Sequence, residues 1–173
     1  INSGSCTTPA TITLNAAGAG AGESYHWYTT ATGGAPVATG SSYAPTVGAT
    51  TTFYVSTYNT TTLCESYPRT PVVAEIYSAP VVTSPPTDET VAENSGTSFS
   101  VSATGATGFQ WQVSTDNGST WTDITVAGSA PTYNGWNTAS LSIFSIPVSC
   151  NNYQYRCEVS GNCSYATNSD SAT

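Results

Sequence analysis

The stretch from Phe109 to Trp121, Phe-Gln-Trp-Gln-Val-Ser-Thr-Asp-Asn-Gly-Ser-Thr-Trp, constrains this chain more than any other. Phe109, Trp111 and Val113 alternate with Gln110 and Gln112, the period of two required of a strand with one face in a core. Asp116, Asn117 and Gly118 then supply turn chemistry, since Gly tolerates positive φ and Asp or Asn hydrogen-bonds its own backbone. The segment reads as a β-hairpin around a buried Trp. An earlier stretch, Tyr25 to Gly34, repeats this layout with Trp27 for Trp111 and Gly33-Gly34 at the turn. One kind of unit therefore occurs twice.

Two such units in 173 residues predict two domains of fewer than about 100 residues each, the size of an immunoglobulin-like sandwich. The first takes residues 1–78 and the second 79–173. Ser78 to Pro86, with Pro80, Pro85 and Pro86, forms the junction, and Val81-Val82 already pairs as the first strand of the second domain. In the first domain Ile12 and Leu14 face inward, and Glu23 to Tyr28 is the Trp strand. Thr50 to Tyr58 and Pro71 to Ile76 follow as strands. In the second, Phe99, Val101 and Ala103 point inward, and Leu141 to Ile146 and Tyr153 to Val159 are strands. Short strands parted by Gly, Pro and Ser turns, with no helical period anywhere, indicate an all-β fold of two tandem immunoglobulin-like β-sandwiches rather than βαβ units. Tyr155, two positions before Cys157, has the spacing of a tyrosine corner, in which the phenol ties a strand to a neighbouring loop.

Charge narrows the function. Ten acids face only Arg69 and Arg156, there is no Lys, and the net charge is -8. Phosphate backbones need clustered cations, so nucleic acid is excluded as a partner, and an anionic membrane surface is equally unsuited. No apolar run is long enough to span a bilayer, and no basic-then-apolar signal segment is present. Ile1 in place of a start Met, and a last strand from Ala166 that stops at Thr173 before any large aliphatic residue, read as marks of a fragment truncated in its final strand. Five cysteines in a Lys-free, Ser/Thr-rich chain fit an oxidising, extracellular setting.

Five is an odd number, so at least one thiol is free or bonded outside the chain. Cys6 and Cys64 are the only cysteines of the first domain and bracket its core strands, which suggests a disulfide contributing roughly 3 to 4 kcal/mol. Cys157 shares the inward face with Tyr155 and Val159 and reads as a buried thiol. Cys150 and Cys163 fall at opposite ends of the Tyr153 to Val159 strand, which disfavours a bond between them. Cys150, Cys157 and Cys163 are thus candidates for free thiols, with Cys150 and Cys163 open to bonds with another molecule.

Strand parity turns His26, Tyr28, Tyr54 and Tyr58 outward on adjacent strands. Such a cluster suits stacking on surface glycans or burial against a neighbouring subunit; the plain alternative is cross-strand pairing, worth a few tenths to about 1 kcal/mol per pair. The equivalent face of the second domain, Gln110, Gln112, Gln154, Arg156 and Glu158, is polar. Ser114, Asp116, Gly118, Thr120 and Trp121 match the Ser-x-Asp-x-Gly-x-Thr-Trp pattern of an Asp-box, whose Asp braces a turn; its role is structural rather than catalytic. Asp88, Glu89 and Glu93 near the junction are candidate oxygen ligands for Ca²⁺, without the spacing of a known loop. No other cofactor is indicated. No enzyme constellation emerges: His26 is the single histidine, no nucleophile elbow accompanies it, and no C-x-x-C pair supports zinc. Paired carboxylates of the glycosidase kind are the one arrangement left open.

The run SYHWYTTATGGAPVATGSSYAPTVGATTTFYVST, with a Cys on either side, resembles the Ig-like repeats of large cell-surface and secreted proteins of Bacteroidota. FQWQVSTDNGSTWTDI with YQYRCEVSGNC resembles a second repeat type of the same proteins. The resemblance implies a non-enzymatic structural or adhesive repeat of a long extracellular protein or filament, of the kind exported by the type IX route. Its partners would be neighbouring Ig-like domains or identical subunits, assembled through strand addition at the unfinished last edge. The alternative it implies is a carbohydrate-binding or spacer module of a secreted hydrolase. The second repeat type often carries a Cys where this chain has Ala92, which would leave Cys163 without its expected partner. Asp170-Ser171-Ala172 matches the O-glycosylation pattern of these bacteria and marks Ser171 as a candidate acceptor.

Overall fold

A computed structural model describes residues 3–163 and 165–173. The chain divides into two compact units, Ile1–Tyr77 and Ser78–Thr173, each built from strands.

The first unit contains β1 (Ser3–Ser5), β2 (Ala10–Thr11), β3 (Leu14–Asn15), β4 (Glu23–Tyr28), β5 (Ala38–Thr39), β6 (Ser42–Tyr43), β7 (Thr46–Val47), β8 (Thr51–Asn59) and β9 (Thr70–Ile76). Five of them form a sheet in the order β1-β9-β8-β4-β5. The short pairs β2–β7 and β3–β6 supply the opposing layer. β8 carries the sheet because nine residues of Thr, Phe, Tyr and Val have the β-branched and aromatic character that a pleated, half-buried surface favours. Its inward residues Phe53 and Val55 meet Ala10, Ile12, Leu14 and Val47 of the other layer around Trp27. β1 pairs with β9 in parallel, Ser3 opposite Ala74 and Ser5 opposite Ile76. Gly4 is needed there: a Cβ at this position would stand 2.1 Å from the Tyr77 ring.

The second unit contains β10 (Val81–Ser84), β11 (Thr97–Ser100), β12 (Ser102–Thr104), β13 (Ala106–Ser114), β14 (Thr122–Asp123), β15 (Thr132–Asn134), β16 (Ser140–Phe144), β17 (Gln154–Gly161) and β18 (Thr167–Asn168). A four-stranded sheet, β14-β13-β17-β18, faces the group β11-β16-β15, and β10 pairs with β12. A single 3-10 turn, Val148–Cys150, precedes β17. The core gathers Phe99, Val101, Leu141, Ile143, Cys157 and Val159 around Trp111.

The two Trp residues occupy matching positions. Both are fully buried, and each indole N–H donates to a carbonyl on a later loop: Trp27 to Gly40 and Trp111 to Thr138, both at 2.9 Å. Burying an indole is favourable only when this donor is satisfied. The hairpins expected at each Trp are present, with β13 against β14 and β4 against β5. Asn117 and Gly118, with φ of 57° and 82°, make the turn of the first, and Gly33 and Gly34, at 65° and 73°, lie in the connection of the second.

Tyr155 departs from the tyrosine-corner reading. Its ring is buried, stacked on Phe99 with centroids 5.2 Å apart, and its hydroxyl lies 3.4 Å from the Tyr133 hydroxyl rather than on a loop backbone. Facing the core, the phenol reaches only the side chain opposite it. Burial raises its pKa far above the usual range. Trp111→Ala should remove about 3–5 kcal/mol from the second unit. Its urea midpoint should fall while the transition of the first unit stays in place, as intrinsic fluorescence and near-ultraviolet circular dichroism would report.

Candidate functional site

On the outer face of the first sheet, β4 and β8 set Tyr28 opposite Tyr54, His26 opposite Ser56 and Ser24 opposite Tyr58. His26 stacks on Tyr58, centroids 4.2 Å apart and planes 18° from parallel. The expected outward cluster is therefore assembled, but it is not open. The segment from Thr60 to Arg69 folds back over it. Asn59 N–H donates to Cys64 O at 2.9 Å, Ser66 N–H donates to Thr57 O at 2.9 Å, and Tyr58 and Glu65 form a β-bridge.

This return places Glu65 between three donors. Its Oε1 lies 2.6 Å from His26 Nδ1 and accepts from the Tyr28 hydroxyl, while its Oε2 is 3.7 Å from the Arg69 guanidinium. Arg69 lies 3.2 Å above the centroid of the Tyr28 ring and donates to Thr30 O and Gly33 O at 3.0 and 2.7 Å. Tyr28 is consequently buried, 3 % exposed, and His26, Tyr54 and Tyr58 are half-buried. Parity put Tyr28 on the correct face; the covering loop, which has no period to read, removes it from solvent. Burial of Tyr28, and next its bond to Glu65, raise the phenol pKa. Burial works against ionisation of Glu65, but the bonds from Tyr28 and His26 and the nearby His26 and Arg69 outweigh it and hold the carboxyl below its ordinary value. Glu65 and Arg69 escaped notice as site residues, although two opposite charges four apart are rare in a chain that is only 7 % charged.

In the second unit the Asp-box residues meet. Ser114 Oγ donates to Asp116 Oδ1 at 2.8 Å and accepts from Gly118 N–H at 2.8 Å. Thr120 donates to Asp116 through its N–H at 2.8 Å and its hydroxyl at 2.6 Å. The Thr120 hydroxyl, the Thr120 N–H and Ser114 in that order hold Asp116 at about 2, against an ordinary 3.8. Trp121 packs under the Arg156 guanidinium, 4.2 Å from its centroid, and Arg156 Nε donates to Gln112 at 2.7 Å. The polar outer face, Gln110, Gln112, Gln154, Arg156 and Glu158, is half-buried throughout.

The cysteines differ from expectation. Cys64 is an exposed free thiol, so it makes no bond to Cys6. The two sit at opposite ends of the sheet: Cys6 follows Ser5, level with Ile76 beyond the Thr51 end of β8, whereas Cys64 adjoins Asn59 at the other end. Those ends are about 26 Å apart at 3.3 Å per residue, far outside disulfide reach. Cys163 is disulfide-bonded, as is Cys6, and so is not a free thiol. Cys157 is a fully buried free thiol raised by burial to about 11, and Cys150 is free and nearly buried, its pKa also raised by burial. Ala92 lines a cavity together with Cys150, not with Cys163.

Asp88, Glu89 and Glu93 rim that same cavity, yet among the described residues no three acids, cysteines or histidines come together as a metal-binding group. Asp88 Oδ1 instead accepts the Thr173 N–H at 2.9 Å. Ser171 is exposed beside the buried Ala172. No helix among the described residues is long and apolar enough to cross a membrane.

Residues 1–77 match the family described as "Ig-like domain CHU_C associated". No curated protein matches the chain. Among solved structures, the chain is similar to Dpr2 Ig1-Ig2 crystallised in complex with DIP-Theta Ig1-Ig3, with 11% identity and a TM-score of 0.52 over 100% of this chain and 63% of that one. It is also similar to titin domains I67-I69, with 11% identity and a TM-score of 0.47 over 94% of this chain and 56% of that one. Immunoglobulin domains 1-5 of Sidekick-1 align over 86% of this chain and only 32% of theirs, with 17% identity and a TM-score of 0.47. Likeness at this level speaks to the fold alone, which is that of tandem immunoglobulin-like domains.

Two outcomes follow from this geometry. Because the folded pKa of Asp116 is depressed, its contribution to stability is complete above about pH 4 and is lost as pH falls through about 2. Asp116→Asn should lower the melting temperature of the second unit at pH 7 and flatten its decline between pH 4 and pH 2. Brief iodoacetamide treatment of the folded chain at pH 8 should label Cys64 well ahead of Cys150 and leave Cys157 untouched, as peptide mass mapping would read.

Proposed function

We propose that this chain is a non-enzymatic structural and adhesive repeat of a long extracellular protein, working as a load-bearing module at the cell surface or in a filament. The observation that carries this reading is the parallel pairing of β1 with β9, the first and last strands of the first unit. Tension applied to the two ends of that unit pulls these strands along one another, so their hydrogen bonds are loaded together in shear and not opened one at a time. The chemistry of both units supports the same reading. Glu65, His26 and Arg69 clamp a loop onto the first sheet, and Asp116 closes a hairpin turn in the second, so the most perturbed acids are spent on bracing. Partners in this reading are neighbouring Ig-like domains or other subunits joined by strand addition, a mode in which main-chain hydrogen bonds supply affinity.

The alternative, a carbohydrate-binding or spacer module of a secreted hydrolase, has weaker support. Tyr28, the aromatic ring at the centre of the expected platform, lies under Arg69 and offers no face to a sugar.

Single-molecule pulling on the 173-residue chain tests the load-bearing reading. The first unit should yield in one high-force event. Gly4→Pro, which removes an N–H from the short strand β1, should cut that force by at least half while the remaining sheet keeps the unit folded at rest. Unfolding at forces no greater than those of a hairpin opened end-on, or indifference to Gly4→Pro, would overturn it.

A further inference from the structure

A cavity of about 540 Å³ opens in the second unit between the segment Asp88 to Glu93 and the turn that carries Cys150. Its floor is apolar, made of Phe99, Ile143, Ile146 and Tyr155, and Val91 stands at its mouth. Its walls are backbone at strand spacing. Along one wall Glu89 N–H donates to Thr173 O at 2.9 Å, and along the other Tyr155 and Ala172 exchange both bonds of an antiparallel pair, at 2.8 and 2.9 Å. Ala172 and Thr173 are thus held from both sides, as a strand inside a sheet is held. Farther along the cavity, Thr90, Val91 and the Tyr153 carbonyl make no hydrogen bond to any described residue. Two strand-like edges with unpaired backbone groups, set across an apolar floor, are the form of a site that accepts a strand.

We infer that this slot binds an extended peptide strand donated by a different protein subunit, collinear with Ala172–Thr173 and antiparallel to β17, with apolar side chains at alternate positions against the floor. This rests on the reading of the chain as an assembling module and names the donor. Charge decides what that donor is. Asp88, Glu89 and Glu93 rim the slot, all exposed, so the outward-facing and flanking residues of the donor are Lys or Arg. A second copy of this chain is poorly suited, because its only cations are Arg69 and Arg156, each packed on an aromatic ring of its own unit.

Cys150 lines the slot as a free thiol and reports its occupancy. The experiment treats the 173-residue chain at pH 8.5 with iodoacetamide, with and without the capped peptide Lys-Val-Thr-Ile-Thr-Val-Lys, and follows alkylation of Cys150 by peptide mass mapping. Saturating peptide should slow that reaction at least tenfold and leave Cys64 unaffected. The same peptide with Pro for its central Ile should give no protection, because Pro lacks the ladder N–H. Val91→Asp, at an exposed position where folding is not at stake, should abolish protection by the intact peptide. Unchanged Cys150 reactivity at millimolar peptide, or equal protection by the Pro peptide, would overturn the inference. A chain that unfolds at high force yet ignores the peptide would leave the load-bearing reading standing and remove this one alone.

Discussion

Each unit depends on one indole set between its layers. Trp27 and Trp111 bury their rings completely and spend their single polar hydrogen on a loop carbonyl, Gly40 in one case and Thr138 in the other. The hydrogen bond does more than satisfy a donor. It ties the middle strand of one sheet to a connection that returns from the other layer, so the ring fixes both the spacing of the layers and the course of the chain between them. Units of 77 and 96 residues have little core to spare, and a residue of this size at the centre supplies much of what they bury.

The rest of the architecture manages polarity with few charges. Ten acids and two arginines serve 173 residues, and the ones that matter most are used locally. Glu65 gathers His26, Tyr28 and Arg69 into one clamp over the outer face of the first sheet, and Asp116 does the corresponding work inside a turn. Neither cluster leaves an open nucleophile or acid-base pair. The surface between them is Ser, Thr, Asn and Gly, suited to a module whose work is carried by its backbone.

The fold was legible in the sequence because its determinants are short-range. Alternation at Phe53 and Val55, Asn117-Gly118 at a turn and the repeated Trp each follow from local geometry, and the strands lie where those patterns place them. The candidate sites were legible only as far as they too were local. The Asp-box closes within seven residues, and its bonds follow from its spacing. Tyr28 needed knowledge of a loop that returns from 37 residues away, and loops of Ser, Thr and Pro carry no period to announce their path. The Cys6–Cys64 pairing failed for a related reason: bracketing strands in sequence says nothing about which end of a sheet each cysteine reaches, and nine residues of β8 separate them. Tyr155 had the right spacing for a corner, but its hydroxyl follows its ring into the core.

The position of the two arginines has a consequence for survival outside a cell. Proteases of the trypsin class must draw a cationic side chain into a deep pocket, with several residues on either side extended in the cleft. In this chain the only two such side chains are Arg69, laid on Tyr28 and bonded to two carbonyls at the start of β9, and Arg156, laid on Trp121 within β17. Neither is presented by a loop. The folded chain therefore offers this class of enzyme no place to begin, and digestion must wait for a whole unit to open.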